Sequence, residues 1–133
     1  MEFEKLKVGM KESITKTITE TDIILYTGIS LDSNSVHINA VYAEGSVFKK
    51  RIAHGMLTAG LISAVLGTKL PGEGTIYLEQ NLKFKKPVYL GDTITAVCEI
   101  TDIIEEKRRL TLSTVCHNQA GEIVLTGEAK VMK

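Results

Sequence analysis

A carboxylate, an amide and an imidazole fall within six positions at Asp32-Ser33-Asn34-Ser35-Val36-His37. Sixteen residues then separate His37 from His54, which lies in the run Ile52-Ala53-His54-Gly55-Met56-Leu57. The second run puts a glycine at the start of an apolar stretch. Together the two runs hold the parts needed to move a proton beside a carbonyl. Asp32 and His37 can accept and donate protons. Free N–H groups at a helix start can hold the charge that builds on a carbonyl oxygen. Glycine lets that oxygen come close to the Gly55 N–H.

Each part also has a plainer role. An offset of five would put Asp32 and His37 on different faces of a regular helix, so they need an irregular loop to meet. The same residues suit an Asx-turn at Asp32, an N-cap at Asn34 and an exposed His37. His54-Gly55 suits a simple helix entry with a satisfied, partly buried histidine. Ser63, eight residues past Gly55 on roughly the same side, can orient the Asp or the His. It can equally bond its own helix backbone. Lys49-Lys50-Arg51 and Lys83, Lys85 and Lys86 read as solvated charge, with phosphate contact as the alternative. Cys98, Cys116 and His117 read as structural, and no CxxC occurs. No metal site is expected, because these residues have no partner near them in sequence.

The elements that must position these residues follow from periodicity. Gly9 to Thr19 is predicted as a strand, with Met10, Ile14 and Ile18 on one face. Thr19 caps a short predicted helix through Asp22-Ile23-Ile24-Leu25-Tyr26, which Gly28 ends. Ser30 to Val36 is then an irregular polar loop, and 39–44 a helical turn. Ala53 to Thr68 has no charged residue and is expected as a long buried helix. After Gly74 the period becomes two. Ile76, Leu78, Leu82 and Phe84 are expected on one strand face, with Gln80 as a polar intruder. Three further strands are marked by Ile94-Ala96-Cys98-Ile100, by Leu110-Leu112-Thr114-Cys116 and by Ile123-Leu125-Ala129-Val131. An apolar helix must be covered, and a curved antiparallel sheet does that. The expected class is α+β, the hot-dog architecture, in a single domain over 1–133.

Composition narrows the function classes. The chain has 133 residues, enough for one core without staples. Apolar residues make up 44% and the mean hydropathy is +0.08. Sixteen basic residues balance sixteen acidic ones, so charge does not point to nucleic acid or a membrane surface. No apolar run approaches the roughly 20 residues that span a bilayer. With no signal-like N-terminus and two cysteines expected reduced, the expected compartment is cytoplasmic.

The joint pattern Asp-x-Asn-x-x-His, a sixteen-residue spacer and His-Gly-Met closely resembles the MaoC-like, (R)-specific enoyl-CoA hydratase family. Gln80-Asn81-Leu82-Lys83-Phe84-Lys85-Lys86-Pro87-Val88 and Gly91-Asp92 extend the likeness over nearly the whole chain. The resemblance implies a hot-dog homodimer that reversibly hydrates trans-2-enoyl-CoA to (R)-3-hydroxyacyl-CoA without a cofactor. It implies Asp32 and His37 as the catalytic pair and Gly55 as the oxyanion-hole donor. It also implies Asn34, Ser63 and His54 as supporting residues, and an acyl-CoA or acyl-carrier-protein thioester as substrate. Two positions depart from the family. Leu31 stands where many members have glycine, and Ser35 where many have proline. A thioesterase on the same fold, or a non-catalytic acyl-CoA-binding module, are the alternative functions.

Overall fold

The computed structural model describes residues 1–133. In chain order it holds β1 (Lys11–Thr17), α1 (Glu20–Ser30), α2 (Ser35–Ile38), α3 (Ala40–Glu44) and α4 (Gly55–Thr68). Four strands follow: β2 (Ile76–Phe84), β3 (Thr93–Ile104), β4 (Arg109–His117) and β5 (Ile123–Met132). The strands form one antiparallel sheet in the order β1-β3-β4-β5-β2. The long helix α4 packs against β1, β2, β3 and β4. This is the expected α+β hot-dog arrangement.

Alternation places the core where the period-two pattern predicts. Ile94, Ala96, Cys98 and Ile100 of β3 are buried, as are Leu110, Leu112, Thr114 and Cys116 of β4. From α4, Ile62, Val65 and Leu66 complete this layer. Each such aliphatic side chain contributes about 1.5–3 kcal/mol relative to exposure.

Four expectations need correction. First, α1 runs past Gly28 to Ser30, and its cap is Leu31 in the left-handed region (φ 65°). A glycine inside a helix weakens it but does not stop it. Second, a register shift between Tyr77 and Glu79 reverses the face of β2. Tyr77, not Ile76 or Leu78, then shares a face with Gln80, Leu82 and Phe84. Third, a second shift near His117 leaves Ile123 exposed and Val124 buried. Fourth, α4 is covered on one side only within this chain. Thr58, Ala59, Ile62, Val65 and Leu66 are buried, while Met56, Gly60 and Ser63 are exposed.

Gly127 of β5 lets β2 come close. A Cβ there would fall against the Asn81 carbonyl oxygen and 2.8 Å from Gln80 Nε2. Gly127→Ala should therefore destabilise the protein by about 1–3 kcal/mol, the usual cost of overpacking. Gly28→Ala, in an exposed helix position with nothing within 4 Å of the new Cβ, should stabilise by about 0.5–1 kcal/mol. Urea unfolding at one fixed protein concentration measures both. A neutral Gly127→Ala would show that β2 does not press on β5 as described.

Candidate active site

Asp32 stands in the turn that joins α1 to α2. Thr19 opens α1 with a reciprocal capping box to Asp22. At the other end Leu31 adopts φ 65°, which explains why glycine suits this position. The Ser30 hydroxyl accepts from the Asp32 N–H at 3.1 Å. The Asp32 side chain accepts from the Asn34 N–H at 3.2 Å, and the Asn34 side chain from the Val36 N–H at 3.2 Å. The Asx-turn and the N-cap are thus both present. Ser35 is the first residue of α2, the position where proline is favoured, which accounts for proline suiting this place.

His37 is neither in a loop nor exposed. It lies on the one-turn helix α2 and is buried. Its Nδ1–H donates to the Ile52 carbonyl at 2.8 Å. A carbonyl can only accept, so Nδ1 carries the proton and the neutral ring keeps its lone pair on Nε2. That is the tautomer of a proton acceptor facing away from Ile52. Residues 52–53 are themselves held by the segment after β2. The Ala53 N–H donates to the Val88 carbonyl at 2.7 Å, and Ile52 bridges Tyr89.

His54 does more than shape a turn. It precedes α4 and is only 2% exposed. Its Nε2–H donates to the backbone carbonyl of Asp32 at 2.9 Å, with the Thr27 hydroxyl 3.2 Å away. Its ring stacks on His37, centroids 3.9 Å apart, and meets Tyr26 on a tilt at 4.7 Å. One side chain therefore touches the backbone of Asp32 and the ring of His37. Burial pushes the His54 pKa below the usual 6.5. The Asp32 carbonyl opposes this and the His37 ring adds to it.

The ligating atoms of Asp32, His37 and His54 all lie within 4.8 Å of one another. Sequence spacing did not show that these three types would meet. His37 Nδ1 and His54 Nε2 are both spent on backbone carbonyls. Asp32 and His54 also line a cavity of about 520 Å³, together with Gly55, Thr58, Phe84 and Leu125. Gly55 opens α4, so its N–H has no partner within the helix. A Cβ at Gly55 would lie 2.6 Å from the Phe84 ring. A larger residue here would have to displace the Phe84 ring as well as fill the space of an approaching oxygen.

Other sequence candidates fall elsewhere. Ser63 is exposed and lines a separate hollow with Tyr77 and Gln80, where Met56 is shared with the main cavity. It makes no hydrogen bond to Asp32 or His37. Lys85 and Lys86 line the main cavity, and Lys86 pairs with Glu122. Lys49 and Lys50 are exposed, and Lys50 lies over the Tyr89 ring at 4.9 Å. Two residues beside the candidate site carry no sequence signal of it: Phe84, which lines the cavity, and Arg51, which bonds the His37 carbonyl. Phe84 was legible only as a strand residue, and Arg51 only as part of a basic cluster.

Comparisons with known proteins agree with this fold. The profile of the family described as MaoC like domain matches residues 3–120. The chain is 55% identical to an (R)-specific enoyl-CoA hydratase of Rhodospirillum rubrum, covering 98% of this chain and 90% of that protein. It is 44% identical to a 3-hydroxybutyryl-CoA dehydratase of Methylorubrum extorquens, covering 97% and 82%. The solved structure of an R-hydratase from Pseudomonas aeruginosa superposes with a TM-score of 0.93 at 46% identity, covering 98% and 83%.

The buried, neutral His54 gives a pH prediction. Its folded pKa lies below 6.5. As pH falls through about 6.5 the unfolded chain takes up a proton that the folded chain refuses, so stability drops with acidification. The slope from this one group is at most about 1.4 kcal/mol per pH unit. His54→Gln should be less stable at pH 7.5 but should lose less stability between pH 7 and roughly pH 5.5. Denaturant midpoints across that range decide it. Parallel curves for the two proteins would mean that His54 is not held neutral.

Proposed function

This chain belongs to the MaoC-like domain family, and from that premise we propose that Asp32, His37 and Gly55 carry its chemistry. The reaction is the reversible hydration of trans-2-enoyl-CoA to (R)-3-hydroxyacyl-CoA. The observation that carries the residue assignment is the His37 tautomer. A ring that donates through Nδ1 to Ile52 offers a bare Nε2, and a ring nitrogen of His37 lies within 4.8 Å of an Asp32 carboxylate oxygen. Water held between two such groups loses a proton to one of them as its oxygen adds at C3. A proton passes to C2 from the same side, and the reverse reaction exchanges the roles of acid and base. The Gly55 N–H, at the positive end of α4, holds the thioester oxygen while it carries enolate charge. Asn34 supports the pair by ordering the turn, and His54 by holding Asp32 and His37. Ser63, on the exposed face of α4 and unbonded to Asp32 or His37, stands outside this reading.

The substrate is an acyl-CoA, or the matching acyl-carrier-protein thioester, with residues 1–133 acting as one MaoC-like domain. We place the protein in the cytoplasm, where its two buried free thiols stay reduced. No helix is long and apolar enough to cross a membrane. The functional unit is a homodimer or a multiple of it. Support comes from β2, an edge strand with its outer side unpaired and Ile76, Tyr77 and Leu78 exposed.

Crotonyl-CoA separates hydratase from thioesterase, since loss of the enoyl absorbance reports the first and free thiol the second. Asp32→Asn and His37→Ala should each lower hydration turnover by roughly 10²-fold or more, with circular dichroism unchanged. A folded variant with near-wild-type turnover would remove that residue from the pair. Light scattering at micromolar concentration should give a dimer or a multiple of it. A fully active monomer would overturn the proposed assembly.

A further inference from the structure

Arg51 follows Lys49 and Lys50, and its neighbours are exposed to solvent. Arg51 itself is not: its side chain retains 16% exposure. Each of its three guanidinium nitrogens donates a hydrogen bond. Nε–H donates to the backbone carbonyl of His37 at 2.7 Å. Nη1 and Nη2 donate to the two carboxylate oxygens of Glu20 at 2.7 and 3.0 Å. Glu20 is the first residue of α1. One side chain thus bridges the start of α1 and the end of α2.

The bridge matters because of what α2 is. It has four residues, too few to persist on local hydrogen bonds alone. Residues 51 and 52 supply what it lacks. The Ile52 N–H donates to the Val36 carbonyl at 3.3 Å, and the Ile52 carbonyl accepts from His37 Nδ1 at 2.8 Å. Arg51 adds the third bond of this set, and it alone ties the set to another helix. We propose that Arg51 is a positioning residue for the reaction. Acting through the His37 carbonyl and anchored by Glu20, it holds α2 so that His37 keeps its Nδ1–H tautomer and presents Nε2 to the substrate. This rests on the hydratase reading of the Asp32/His37 pair. The geometry needs a planar fork that serves three acceptors at once, which lysine does not have. A partly exposed ion pair adds little to stability, so the effect belongs in turnover.

The test uses Arg51→Ala, Arg51→Lys and Glu20→Gln in the full chain. Crotonyl-CoA kinetics are combined with nitrogen-15 NMR of the histidine side chains without substrate. Arg51→Ala should lower kcat roughly 10- to 100-fold with KM changed by less than about threefold, as expected when a reacting group is misplaced by about an ångström. Arg51→Lys should not restore kcat, and Glu20→Gln should fall between. Wild-type His37 should show the Nδ1–H tautomer, with Nε2–H appearing in the Arg51 variants. Should Arg51→Ala fail to fold, Arg51→Lys and Glu20→Gln carry the test. Unchanged kcat with an unchanged tautomer would overturn the proposal, and so would a loss confined to KM, which would make Arg51 a substrate contact. An inactive wild type whose His37 tautomer still depends on Arg51 would support the clamp and overturn the hydratase reading instead.

Discussion

The hydrogen bond from His37 Nδ1 to the Ile52 carbonyl decides which nitrogen of the ring is free, and with it the direction in which this site can move a proton. An imidazole with no such partner samples both tautomers, and only one of them leaves Nε2 bare. The carbonyl is held in turn. Ala53 pairs with Val88, Ile52 bridges Tyr89, and Tyr89 donates to the Phe48 carbonyl. The stretch between α3 and α4 is therefore an anchored rail, and the His37 ring is set against it.

A second consequence concerns α4. Its buried face, Ile62, Val65 and Leu66, locks it to the sheet, so the position of its N-terminus is a property of the core. His54 and Gly55 inherit that position. His54 turns it into contact with Asp32 and His37, and Gly55 offers it as a donor to the cavity. The cost is a histidine ring kept out of water with its pKa pushed down. Only one of its nitrogens is satisfied: Nε2 donates to a carbonyl, while Nδ1 is buried without a partner. The same ring stacks on His37, which orders both side chains.

The open side of the molecule has a different logic. Met56, Gly60 and Ser63 on α4 face outward beside Tyr77 and Gln80 of β2. Gln80 is the polar residue that interrupts the apolar pattern, and its side chain donates to the buried Thr114 hydroxyl and bonds Tyr77. It satisfies a polar group in the sheet interior, which accounts for a position that alternation alone made anomalous.

Much of this was legible in the residues. Alternation identified β3 and β4 residue by residue, because a strand with one buried face has a period of two and no competing solution. The uncharged run over Ala53 to Thr68 announced the central helix, and the joint pattern around Asp32, His37 and Gly55 announced the family. The face of β2 was not legible, because a one-residue bulge reverses it and is set by pairing with β5. Nor was the end of α1, where a left-handed Leu31 rather than Gly28 makes the turn. The roles of His54 and Arg51 were beyond reach for the same physical reason. A histidine at a helix entry and an arginine in a basic run look alike wherever they occur. What each does depends on which carbonyl lies within 3 Å of its nitrogen, and only the packing of α1, α2 and α4 against one another brings the carbonyls of Asp32 and His37 there.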